Sequence, residues 1–156
     1  MKKNISMALA VILFLFTFVN VTVKASDVKS NMTGGTAITI TIGDVNLDGV
    51  IYDTALAQEI KEKMPLTVSM VGFGGREYYG DIDFTPKNIS GGQFNFQNGD
   101  ITYCSRNNTM AIFYAQTDRP NLTMKVIPIG KVLSDLAVFD SLGGQADITF
   151  SIKDTK

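Results

Sequence analysis

The residues best equipped for chemistry in this 156-residue chain crowd into one stretch, Gly72-Phe73-Gly74-Gly75-Arg76-Glu77-Tyr78-Tyr79-Gly80. Glycines let a backbone bend tightly and approach a ligand closely, Arg76 offers five fixed donors, and Tyr78 and Tyr79 present ring surface with a polar tip. This is not a phosphate loop. The Lys and Ser or Thr of that motif are missing, and a Gly-x-Gly-x-x-Gly reading fails at Glu77. Two roles fit the stretch: a glycine-rich connection whose tyrosines pack as wall, or part of a binding surface.

A second segment, Asp44-Val45-Asn46-Leu47-Asp48-Gly49-Val50-Ile51, matches the opening of a calcium loop, with side-chain oxygens on alternate residues, then glycine and an aliphatic residue. The closing ligand is missing, because Ala55 stands where a carboxylate should complete the shell, and the motif has no second copy. The segment therefore reads as an acidic β-turn, and no metal is assigned to it. The chain has no His and one Cys. That excludes Ser-His-Asp and Cys-His nucleophile pairs, an imidazole base, an internal disulfide and a thiolate metal cage. Cys104 falls in an expected strand with no basic residue on its own face, which suits a buried, inert thiol. No cofactor is expected.

These groups must be held by something, and the composition suits one compact domain, with 45% hydrophobic and 19% charged residues. Lys2 and Lys3 precede an apolar run from Met7 to Val19, and Val23-Lys24-Ala25 resembles a signal-peptidase site. Residues 1–25 thus read as a cleaved signal peptide, residues 26–36 as a flexible leader and residues 37–156 as the domain. The expectation is an exported protein without stable membrane insertion, and the Lys-Lys leader has a bacterial look. Loss of residues 1–25 removes three lysines and no acid, leaving 11 basic against 15 acidic residues. With Arg76, Arg106 and Arg119 dispersed, no basic stripe exists to neutralise phosphates, so nucleic acid is not an expected partner.

From Ala37 apolar residues alternate strictly, with Ile38, Ile40 and Ile42 on one face, which predicts a half-buried strand. A reversal is expected at Gly43 and Asn46–Gly49, with Val50–Tyr52 returning. Asp53 or Thr54 would cap a helix running to Met64, ended by Pro65. Further strands are predicted at Leu66–Val71, around Tyr78–Asp83, and at Asp100–Cys104, Met110–Ala115, Met124–Ile129 and Ala146–Lys153, with a second helix at Val132–Leu142. Short alternating strands with two helices predict a mainly β fold, a closed antiparallel barrel whose open ends the helices cap.

The order of these features resembles the bacterial cyclophilin-like domain family over about residues 37 to 153. The resemblance rests on Ile40-Thr41-Ile42-Gly43, on Ala55 to Pro65 followed by Leu66-Thr67, and on Arg76-Glu77-Tyr78-Tyr79-Gly80. It continues through Gly99-Asp100-Ile101-Thr102-Tyr103, Ala111-Ile112-Phe113-Tyr114 and Ile129-Gly130-Lys131-Val132. It implies a cyclophilin-like barrel divergent from the true peptidyl-prolyl isomerases, whose Phe-His-Arg, Gln-Gly-Gly-Asp and Gln-Phe-Phe motifs surround a proline pocket. Here there is no histidine and Gly91-Gly92-Gln93 has the wrong order, so Ile112-Phe113-Tyr114 alone resembles a counterpart.

Isomerisation needs a ring pocket and a donor, typically a guanidinium, at the imide nitrogen. In that frame Arg76 would be the donor, with Phe113, Tyr78 and Tyr103 as walls. Alternation adds that Ile101 and Tyr103 share one strand face, Thr102 and Cys104 the other, while Met110, Ile112 and Tyr114 lie opposite Ala111 and Phe113. If the aliphatic set is core, Phe113 points outward to a groove. The expected ligand-binding set is Arg76, Glu77, Tyr78, Tyr79, Tyr103 and Phe113, with Arg76 the catalytic residue if the protein is an isomerase. The expected function is binding of a peptide or small molecule without strong catalysis. A divergent prolyl isomerase and, more distantly, a calcium-dependent interaction module are the alternatives.

Overall fold

The computed structural model describes residues 34–118 and 121–154. The expected signal segment 1–25 and residues 26–33 of the leader lie outside the described residues. Strand β1 (Gly35–Ile42) already includes Gly35 and Thr36, which pair with Tyr52 and Ile51 of β2 (Val45–Tyr52). Ile38, Ile40 and Ile42 are buried, as their alternation requires. The reversal, however, is not at Asn46–Gly49. Gly43 takes a φ of 57°, so a two-residue turn lets Ile42 pair directly with Val45, and Asn46–Gly49 run on as strand. Asn46 accepts a hydrogen bond from the Thr41 hydroxyl at 2.8 Å, and Asp48 pairs with Lys153 at 2.6 Å. The calcium-like motif is thus a turn followed by a strand, with two of its side-chain ligands engaged elsewhere.

Helix α1 (Ala55–Lys61) is capped by Thr54, whose hydroxyl accepts from the Ala57 amide at 3.3 Å, and it ends one turn earlier than its sequence pattern predicts. Leu56, Ala57 and Ile60 are buried against the barrel. On the other side of the helix, Glu59 accepts the backbone amides of Lys87 and Asn88, each at 2.7 Å, and the Asn88 side-chain amide. One carboxylate thereby ties the long connection between the fourth and fifth strands to the helix.

The remaining elements are β3 (Leu66–Phe73), β4 (Glu77–Asp81), β5 (Asp100–Cys104), β6 (Thr109–Phe113), β7 (Ile127–Val132), α2 (Val138–Ser141) and β8 (Gln145–Ile152). They close a barrel in the order β1-β2-β7-β5-β6-β4-β3-β8, with antiparallel pairing throughout, as the alternation predicts. An eight-stranded barrel has an interior just wide enough for its own side chains. Here Ile38, Ile40, Ile51, Met70, Tyr103 and Phe150 are among those filling it. Gly80 marks how tightly the wall is drawn, because a Cβ there would collide with the Ser69 carbonyl oxygen of β3.

The second helix is a correction. Val132 belongs to β7, paired with Gly49, and the amides of Leu133 and Ser134 donate to the Asp48 carbonyl. These tertiary hydrogen bonds hold the chain extended where a helix was expected, and only one turn forms, at Val138–Ser141. Leu133 accordingly is 64% exposed, whereas Phe139, in that one turn, is buried.

Two outcomes follow. Gly80→Ala should lower unfolding stability by about 1–3 kcal/mol, the usual cost of overpacking, measured as a lower urea midpoint. The amides donated by Lys87 and Asn88 hold the Glu59 carboxyl below its ordinary value of 4.5, Lys87 first. Its contribution is therefore present above the unfolded pKa and lost as pH falls through the folded one. Amide exchange at Lys87 and Asn88 should accelerate in that acid window, and Glu59→Gln should accelerate it at neutral pH.

Candidate functional site

Closing the barrel around its own side chains leaves the outward-facing residues free for other work. On the outer face of β5, β6 and β4 the register places Thr102, Ala111 and Tyr79 in one cross-strand row. Phe113 and Glu77 form the row on one side of it, and Cys104 pairs with Thr109 on the other. The small side chain of Ala111 leaves the centre of this patch low. Over it lie parts of the two long connections, residues 82–99 and 121–126, joined by a bridge between Gln93 and Val126 and by the Leu122 amide donating to the Phe94 carbonyl at 2.8 Å. Phe96, Leu122 and Val126 from these connections bury themselves against Cys104, Ala111 and Phe113, forming a second apolar cluster outside the barrel.

The roof does not fill the hollow. A cavity of about 170 Å³ remains, lined by Phe73, Arg76, Glu77, Tyr79, Thr102, Cys104, Asn107, Thr109, Ala111 and Phe113 from the barrel side and by Leu122, Thr123, Met124 and Val126 above. Phe113 stacks on Phe96 with centroids 4.2 Å apart, and Tyr79 meets Phe73 edge-on at 6.2 Å. The Arg76 guanidinium lies 5.7 Å from the Phe73 ring centroid and 5.8 Å from that of Phe96, placing it at the Phe113 end. There it faces Glu77, with Nη2 3.6 Å from the carboxylate.

Burial pushes the Glu77 carboxyl above its ordinary value, and the Arg76 charge and hydrogen bond pull in the opposite direction without cancelling it. An acid whose folded pKa is raised favours the fold below its unfolded pKa. That advantage is lost as pH rises through the folded value. Among the described residues no three His, Cys, Asp or Glu side chains cluster closely enough to hold a metal ion.

Of the expected site residues, Arg76, Glu77, Tyr79 and Phe113 meet around this cavity. Tyr78 and Tyr103 do not. Both face the barrel interior, because Tyr78 pairs with Ile112 and Tyr103 with Met110, residues of the inward set. Their hydroxyls serve the fold: Tyr78 donates to the carbonyls of Leu142 and Gly143, and Tyr103 donates to Asn108. Cys104 is buried, as expected, although its side chain lines the cavity.

Thr102 and Ala111 were within reach of the alternation that turns Phe113 outward, since they share its face. Leu122, Met124 and Val126 carry no such signal, because they reach the site from an irregular connection.

The sequence model of the Cyclophilin-like family matches residues 40–151. Among solved structures, the solution structure of the hypothetical protein AF2241 from Archaeoglobus fulgidus superposes with a TM-score of 0.62 at 12% identity. The match covers 76% of this chain and 95% of that one, a likeness of fold. No curated protein matches the chain.

The opposing influences on Glu77 are separable. Arg76→Gln should move the Glu77 titration midpoint still higher, because the lowering charge goes while the burial stays. A carboxyl-carbon NMR titration of both proteins reads the difference, and an unchanged or lower midpoint would contradict this account.

Proposed function

The chain belongs to the Cyclophilin-like family, and from that premise we propose that it is an exported peptide-binding domain whose cavity receives one side chain. The observation that carries this reading is the cavity itself, about 170 Å³ of apolar-walled space on the outer face of β4, β5 and β6. Pockets for drug-sized ligands run to ~300–1,000 Å³, whereas a dry cavity of ~150 Å³ holds a single benzene ring. One ring or side chain therefore fits, and the rest of a ligand must lie outside. A peptide crossing the mouth, where Phe73 is 54% exposed, meets that requirement better than a compact small molecule. Export is supported by the Lys2-Lys3 pair and the apolar run from Met7 to Val19.

A second reading, a divergent prolyl isomerase, is favoured by one observation: Arg76 lines the same cavity as Phe113. A guanidinium delivered to a prolyl nitrogen weakens the partial double bond that makes isomerisation slow. Strong catalysis is disfavoured because the Arg76 charge already faces Glu77 and lies against two aromatic rings.

Capped tripeptides with Pro, Phe, Leu or Tyr at the centre would be titrated while the methyl resonances of Ala111 and Met124 are followed. At least one should give saturable shifts, and Ala111→Phe, which fills the hollow from an outward position, should weaken that binding by more than about tenfold, or ~1.4 kcal/mol. Failure of all four to shift these methyls would overturn the binding reading. Exchange NMR on the prolyl peptide decides the second: acceleration lost in Arg76→Gln would establish an isomerase.

A further inference from the structure

One residue of the cavity wall carries a polar atom that has no partner within the described chain. Thr102 is 1% exposed, and its Oγ1 makes no hydrogen bond with any described residue. The register explains why. Its neighbours across the sheet are Ala111 on β6 and Pro128 on β7, neither of which has a polar side-chain atom, and proline also lacks an N–H. The β5–β7 ladder shifts register between Ile101 and Thr102, beside this residue. The other buried hydroxyl on this face, that of Thr109, donates to Asn107 at 2.9 Å. A buried hydroxyl without a partner is costly, and the side chain of Thr102 lines the cavity.

We infer that the side chain received by this cavity is a tyrosine of the bound peptide, its phenol hydroxyl hydrogen-bonded to Thr102 Oγ1. The inference rests on the peptide-binding reading and adds to it the chemistry of the anchor. The volume admits one six-membered ring, and the walls at Ala111, Leu122 and Val126 ask for an apolar body. The tip is uncharged, because the charges lining the cavity, Arg76 and Glu77, already face each other at the Phe113 end. An ion brought to Thr102 would be desolvated without a counter-charge. Phenylalanine or proline fills the space but leaves the Thr102 hydroxyl unanswered. Asparagine or glutamine answers it, yet brings an amide with two donors and two acceptor sites among apolar walls. A phenol and a threonine hydroxyl each donate and accept, so a single bond between them is satisfied in either direction.

The test compares capped tripeptides centred on Tyr and Phe, together with free p-cresol and toluene, on wild type, Thr102→Val and Thr102→Ser by NMR titration. Wild type should prefer the Tyr peptide roughly 3- to 10-fold, the range of one net hydrogen bond. Thr102→Val, which keeps the shape and removes the hydroxyl, should abolish that preference, and Thr102→Ser should retain it. Unliganded Thr102→Val should melt at or above the wild-type temperature, since no partner within the fold is lost. A lower melting temperature would assign the hydroxyl a structural role and overturn the inference. Equal binding of the Tyr and Phe peptides by wild type would overturn it while leaving the groove intact. Absence of binding by all four probes would instead remove the groove itself. Binding of p-cresol as tight as that of the Tyr peptide would replace the peptide by a free phenol.

Discussion

Closure of the barrel is the constraint on which everything else in this molecule depends. Once β8 pairs with β1, no strand edge is left over, and the eight strands enclose only enough room for their own side chains. Each strand residue then goes to one of two destinations, inward to a filled core or outward to a surface. Tyr78 and Tyr79 are neighbours in sequence and opposites in fate, the first packed at a tilt among core rings and the second facing the cavity. The interior is filled by the barrel's own side chains, and the cavity lies on the outer face.

That outer face becomes a site because it is roofed. The described residues of the connections between β4 and β5 and between β6 and β7 have little regular structure of their own, yet they are held at several points. Glu59 fixes one end of the first connection to α1, and Asp100 accepts from the Gln97 amide at 2.8 Å and pairs with Lys131 at 2.9 Å near its other end. The Gln93–Val126 bridge then ties the two connections together. Hydrogen bonds to charged groups are stronger than neutral ones, which suits a role in pinning irregular chain. Burial holds the Glu77 carboxyl above its ordinary value even with Arg76 beside it.

The likeness to AF2241 at 12% identity shows how little side-chain identity such a barrel needs. Alternation and closure carry the architecture, and function resides in the residues grafted on one face. Here that graft is a ring-sized hollow bounded by an ion pair at one end and an unpartnered hydroxyl in its wall. A shared fold by itself therefore assigns no reaction to this chain.

Much of this was written in the sequence through local periodicity. Ile38, Ile40 and Ile42, or Ile148 and Phe150, alternate because one side of each strand must leave water, and the same rule turned Phe113 outward. It also placed Tyr103 on the inward face with Ile101, against the expectation that it walled the groove. The loss of a helix after Val132 and the arrival of Leu122 and Val126 over Ala111 were decided by tertiary structure alone. Each depends on hydrogen bonds or packing between residues far apart in the chain, such as those from Leu133 and Ser134 to Asp48, which no local pattern encodes. The orphan hydroxyl of Thr102 belongs to this second class, because its isolation exists only once Ala111 and Pro128 stand on either side.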